Sequence, residues 1–70
     1  MTRIPVRSST LVSVGYDGQQ QVLEIEFKRM AVYQYFDVPK ALHEQLIASS
    51  SKGKFFDQKI REKFRTLKVS

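Results

Sequence analysis

The chain has no cysteine and no tryptophan, only two prolines, three glycines and one histidine in 70 residues. Without cysteine there is neither a disulfide framework nor a thiolate metal site, and nothing asks for an oxidising compartment, so a cytoplasmic address is the expectation. No stretch approaches the roughly 20 apolar residues of a membrane span, and MTRIPVRSST at the start lacks the apolar run of a signal sequence, so a soluble protein with no membrane partner is expected. The lone His43 has no second ligand at metal spacing and no cysteine nucleophile beside it, which leaves no basis for a metal or cofactor site or for nucleophilic catalysis. It reads as a surface or boundary residue. Short length is a further constraint: a chain this small buries only about 60% of the surface its unfolded form exposes, so it forms one domain with one core.

What the chain has is basic charge and a clean β pattern. Twelve Lys and Arg against seven Asp and Glu give a formal charge of +5, a field that attracts phosphate backbones or acidic protein surfaces. Residues 1–7, MTRIPVR, show neither a period of two nor one of 3.6 and read as an N-terminal arm, leaving 8–68 as the domain. SSTLVSVGY is extended, with Val12, Val14 and Tyr16 on one face and Leu11, Ser13 and Gly15 on the other. Asp17 and Gly18 supply turn chemistry. VLEIEF then alternates, Leu23, Ile25 and Phe27 facing the core and Glu24 and Glu26 facing water as ordinary solvation. AVYQYF, rich in β-branched and aromatic residues, is a third strand.

Register decides where Tyr33 and Tyr35 go, because a one-residue slip moves every side chain to the other face. A three-residue loop, with Phe27 opposite Tyr33 and Ile25 opposite Tyr35, is the expectation: it puts both rings in the core and Gln34 in water, where its amide needs no buried partner. After the sheet the period changes. Pro39 suits a first helical turn, and Val38, Leu42, Leu46 and Ile47 predict a helix from about Pro39 to about Ser50, ended by Gly53. Asp57 stands as the N-cap of a second helix with apolar positions Phe56, Ile60, Phe64 and Leu67. The predicted fold is therefore α+β, a three-stranded antiparallel meander followed by two helices packed on one face. The expected core is Val12, Val14, Leu23, Ile25, Phe27, Tyr33, Tyr35, Leu42, Leu46, Phe56, Ile60 and Phe64.

Between residues 52 and 68 lie seven cations, Lys52, Lys54, Lys59, Arg61, Lys63, Arg65 and Lys68, against only Asp57 and Glu62, an excess equal to that of the whole molecule. On the second predicted helix Arg61, Arg65 and Lys68 line one flank of the apolar stripe and Lys59 with Lys63 the other, a surface suited to a phosphate backbone or, equally, an ordinary solvated face. SSSKGKFF places a glycine and two lysines before a helix, where backbone amides can hold anions; it lacks the spaced glycines and GK[ST] ending of a P-loop, so an interhelix turn is the simpler reading.

In their order, SSTLVSVGYD, LEIEF, VYQY with Val-Pro beyond, and SKGKFFDQKI resemble the KTSC domain, named for the C-terminal domain of some lysyl-tRNA synthetases and also free-standing in bacteria. The match covers about residues 8–65. By resemblance, the central Tyr-x-Tyr signature falls on Tyr33 and Tyr35, and the Ser-Lys-Gly turn on Ser51, Lys52 and Gly53; Lys28 to Ala31 depart from the pattern in having no glycine. The resemblance implies no reaction, only RNA binding as a suggested role. The expectation is thus a non-catalytic domain, monomer or weak dimer, that binds RNA or DNA, RNA before DNA, through the basic final third. The alternative is a protein-interaction module that docks an acidic partner or self-associates through an open sheet edge.

Overall fold

Alternating side chains in VLEIEF organise the molecule, because a strand with one apolar and one polar face needs partners on both edges and a cover over one side. In a computed structural model describing all residues from Met1 to Ser70, that strand is the centre of a five-stranded antiparallel sheet in the order β1-β2-β3-β4-β5. The strands are β1 (Ile4–Pro5), β2 (Leu11–Asp17), β3 (Val22–Phe27), β4 (Ala31–Tyr35) and β5 (Thr66–Lys68), with α1 (Lys40–Ala48) and α2 (Lys52–Lys59) between the last two. The three expected strands are present, but the sheet has two more. Ile4–Pro5 of the expected arm pairs with β2, and Thr66–Lys68 pairs with β4. Both outer strands are very short, which limits the unpaired edge that another chain could use. No helix is long and apolar enough to cross a membrane.

The turn between β2 and β3 is built by Asp17, whose Oδ1 accepts hydrogen bonds from the backbone of Gln19 and Gln20 at 3.0 and 3.2 Å. Lys28, Arg29 and Met30 form the next loop, with Met30 in the left-handed conformation at φ 64°. Three-residue hairpin loops need that conformation at their last position, where glycine is usual. Three loop residues set Ala31, not Tyr33, opposite Phe27, so Tyr33 pairs with Ile25 and Tyr35 with Leu23. The expected pairing is corrected by two residues, and an even shift leaves the facing unchanged: both rings lie on the side of Leu23, Ile25 and Phe27.

Leu11, Val14, Leu23, Ile25, Phe27, Tyr35, Val38, Leu46, Phe56 and Ile60 form the buried core, with Tyr33, Leu42 and Phe64 partly buried at its margin. Leu11 replaces the expected Val12 because the β2 register shifts between Leu11 and Ser13, an irregularity that turns Leu11 onto the face of Val14. Glu24 is a further correction, being 9% exposed rather than facing open water. Met1 to Arg3 cross the outer face of the sheet over Gly15, where a Cβ would stand 2.9 Å from the Thr2 carbonyl oxygen. This close approach requires glycine.

The final third departs most from expectation. Helix α2 begins at Lys52 with Ser51 as its N-cap, so Gly53 lies in its first turn and Asp57 in its interior. The helix ends at Lys59, where the amides of Ile60 and Arg61 both bond to the Phe56 carbonyl at 3.0 and 2.9 Å. Glu62 then turns the chain at φ 62°. Beyond it, the Arg65 carbonyl accepts from Phe36 N at 2.9 Å, and Val69 N donates to Val32 at 2.8 Å. The open edge of β4 thus takes the segment that the 3.6-residue period assigned to a helix, and Leu67 is 53% exposed instead of packed. The long basic helix does not exist.

Candidate nucleic-acid interface

Two polar-edged clefts adjoin on the helix side of the molecule. The first, about 420 Å³, lies between the loop leading into β2 and the start of α2, and it is walled by Arg7, Ser8, Ser9, Thr10 and Ser50 to Lys54 with Asp57. No apolar side chain lines it. Its two walls meet because residue 53 is glycine: a Cβ there would lie 3.0 Å from Thr10 Oγ1. Ser8 Oγ fixes the facing loop by accepting from the backbone of Thr10 and Leu11, each at 3.1 Å. Lys52 Nζ donates to the Ser49 carbonyl at 2.9 Å, while Lys54 stays exposed.

The second cleft, about 410 Å³, is lined by the rings of Phe27, Tyr33, Tyr35 and Phe56, by Arg29 and Arg61, and by Asp57 and Glu62, and it shares Thr10 and Asp57 with the first. Its aromatic floor is built from edge-on ring contacts. Phe27 meets Tyr33 edge-on at 5.9 Å and Phe56 at 5.2 Å, and Tyr35 meets Phe56 edge-on at 5.4 Å. The Arg29 guanidinium lies 4.8 Å from the Phe27 ring centre and 5.4 Å from that of Tyr33, cation over π face. Burial, with Tyr33 adding to it and Arg29 and Arg61 opposing, pushes the Tyr35 hydroxyl up to about 12, so it stays a neutral phenol at physiological pH. Arg61 pairs loosely with Asp57 at 3.6 Å, both side chains exposed.

Of the seven cations read from the sequence, Lys52, Lys54 and Arg61 border these clefts. Lys59, Lys63, Arg65 and Lys68 do not line them: Arg65 lies over Phe36 at 5.0 Å, and Lys68 sits on β5 opposite Tyr33. Ser51, Lys52 and Gly53 come together in the polar cleft and Tyr33 and Tyr35 in the aromatic one, so the two halves of the expected signature are neighbours in space. Arg7 and Arg29 were missed. Arg29 had a usable signal, since a cation two residues after a strand's inward-facing Phe27 is within reach of that ring across a tight turn.

His43 is stacked on Tyr16 with ring centres 4.6 Å apart, and burial lowers its pKa against the opposing pull of Glu44. Tyr16 in turn donates to the Val38 carbonyl at 2.5 Å, tying the segment that leads into α1 to β2. No three His, Cys, Asp or Glu side chains converge.

These features define a small α+β domain with two adjoining clefts on its helix side. The chain belongs to the KTSC domain family, whose family model matches residues 7–64. It superposes on the crystal structure of a KTSC domain protein from Yersinia pestis with a TM-score of 0.96 and 42% identity, covering 99% of this chain and 97% of that one. An uncharacterised protein of Stutzerimonas stutzeri is 43% identical over 58 residues, 83% of this chain and 82% of its own length. A lysine–tRNA ligase of Nostoc punctiforme is 37% identical over 62 residues, which are 89% of this chain but 11% of the ligase.

Proposed function

We propose that this domain is a non-catalytic, cytoplasmic RNA-binding accessory module that grips single-stranded RNA along the paired clefts. One observation carries the reading: Thr10 and Asp57 belong to both clefts, so Arg7, Arg29, Lys52, Lys54 and Arg61, drawn from three separated stretches of chain, border two clefts that adjoin across a shared wall. Cations at the walls neutralise phosphates, and aromatic rings at the floor suit bases, the combination used for unpaired strands. That a matching segment forms about a tenth of a lysine–tRNA ligase, a protein named for its action on tRNA, favours RNA over DNA.

Fluorescence anisotropy with labelled single-stranded RNA, single-stranded DNA and duplex RNA across a salt series tests it. Affinity should fall linearly on a log–log plot, and Lys54→Ala and Arg7→Ala, both at the polar cleft, should each flatten the slope by about 0.7, the counterion release for one phosphate of a single strand. Absence of binding to RNA at low ionic strength overturns the proposal. A nuclease-resistant complex with an acidic protein would then assign the same cations to protein docking.

A further inference from the structure

The two clefts differ in charge although they share a wall. The polar cleft has Arg7, Lys52 and Lys54 against Asp57 alone, whereas in the aromatic cleft Arg29 and Arg61 are balanced by Asp57 and Glu62. A phosphate is drawn to the first and gains nothing on entering the second. A neutral planar group is suited to the second: its volume falls in the range of about 300–1,000 Å³ typical of small-molecule pockets, and its floor is aromatic. Tyr35 is spent on the core at 5% exposed, but Tyr33 is only half-buried and turns its remaining surface to the cleft. The guanidinium of Arg29 lies over these rings, 4.8 Å from the centre of Phe27 and 5.4 Å from that of Tyr33, so a base stacking on Tyr33 takes the place of a flexible side chain that swings to its edge.

We infer that the aromatic cleft seats one unpaired nucleobase against Tyr33, with Arg29 and Arg61 at its edge, while the adjoining phosphate enters the polar cleft past Thr10. The carboxylates of Asp57 and Glu62 accept hydrogen bonds from exocyclic amino groups or from the ribose 2′-hydroxyl, and they repel the phosphate. This inference rests on the RNA-binding reading and goes further, dividing the groove into a base site and a phosphate site.

The test uses the full chain and a short single-stranded RNA carrying one 2-aminopurine, whose emission is quenched when it stacks. Wild-type protein should quench it at saturation. Tyr33→Leu should abolish the quench and weaken binding about 5- to 140-fold, the equivalent of the about 1–3 kcal/mol that one stacked base contributes. Tyr33→Phe, which keeps the ring, should quench as wild type does. Lys54→Ala should weaken binding yet leave quenching at saturation intact. RNA that binds wild-type protein without quenching, or that binds Tyr33→Leu as tightly as wild type, overturns the base site while leaving the RNA reading in place. No RNA binding by wild type overturns both. Because the wild-type quench needs no substitution, a Tyr33→Leu protein that failed to fold would still leave that measurement to decide.

Discussion

On the helix side of the sheet, Leu23, Ile25 and Phe27 pack against Leu46, Phe56 and Ile60. On the other side, Arg3 donates to Ser13 Oγ at 3.0 Å and to Glu24, Ser13 donates to Glu26 at 2.8 Å, and Gln34 donates to Glu24 at 2.9 Å. The helix side is held by burial, which is non-directional and scales with area and volume. The outer side is held by a directional chain in which each group is the other's partner, so removing one strands the rest. Five strands in so short a chain leave no second layer for the outer face, and the residues from Met1 to Arg3 stand in for one.

The comparison can be broken by measuring both faces. Ile25→Ala, at a fully buried position, should cost about 2–5 kcal/mol by denaturant unfolding and Ile25→Val about 0.5–1.5. Equal losses for the two would mean that the helix side is not governed by volume. Glu24→Ala should cost about 1–3 kcal/mol by leaving Arg3 and Gln34 without their acceptor, and its effect should be strongly non-additive with Arg3→Ala in a double-mutant cycle. Additivity would dissolve the outer network into independent contacts. Tyr16→Phe removes one hydrogen bond to Val38 and should cost about 0.5–1.5 kcal/mol, with the His43 stack preserved.

Acid should produce the smallest effect, and it should be confined to the outer face. Burial alone would raise the Glu24 pKa, but hydrogen bonds from Gln34 and Arg3, with the charge of Arg3, reverse this and hold it below the ordinary value of 4.5. A carboxyl depressed on folding contributes its stability above the unfolded value and loses it as pH falls through the folded one. Thermal melts of wild type should therefore lose stability below about pH 4.5, near the unfolded glutamate value, more steeply than those of Glu24→Gln. Parallel curves would show that the carboxylate is not what holds Arg3.

How much of this was legible in the sequence follows the same division. Period-two alternation in VLEIEF, and the parity of the loop after it, correctly turned Tyr33 and Tyr35 inward, because facing depends only on local pleat. The pairing was off by two residues because a loop of three residues, Lys28 to Met30, sets Ala31 opposite Phe27, whereas a Phe27–Tyr33 pair would need five. Glu24 looked like a solvated charge, since nothing local says that Arg3, 21 positions away, folds back over it. Phe56, Ile60 and Phe64 matched a helical stripe, yet the unpaired edge of β4 competes for the same backbone and takes Thr66 to Lys68. Periodicity cannot weigh an edge that exists only after the sheet has formed. For the groove, Lys52, Lys54 and Arg61 were visible as charge, whereas Arg7 and Arg29 join them only through the hairpins.

Gln21, Met30, Asp37 and Glu62 all hold left-handed backbone, and none of the three glycines does. Non-glycine residues carry a steric penalty of about 1–2 kcal/mol in that conformation. The corners of the chain therefore keep mutational headroom in reserve. An exchange to glycine at 88%-exposed Met30 touches neither packed interior nor charged lattice, so a sturdier variant is reachable through the loop between β3 and β4.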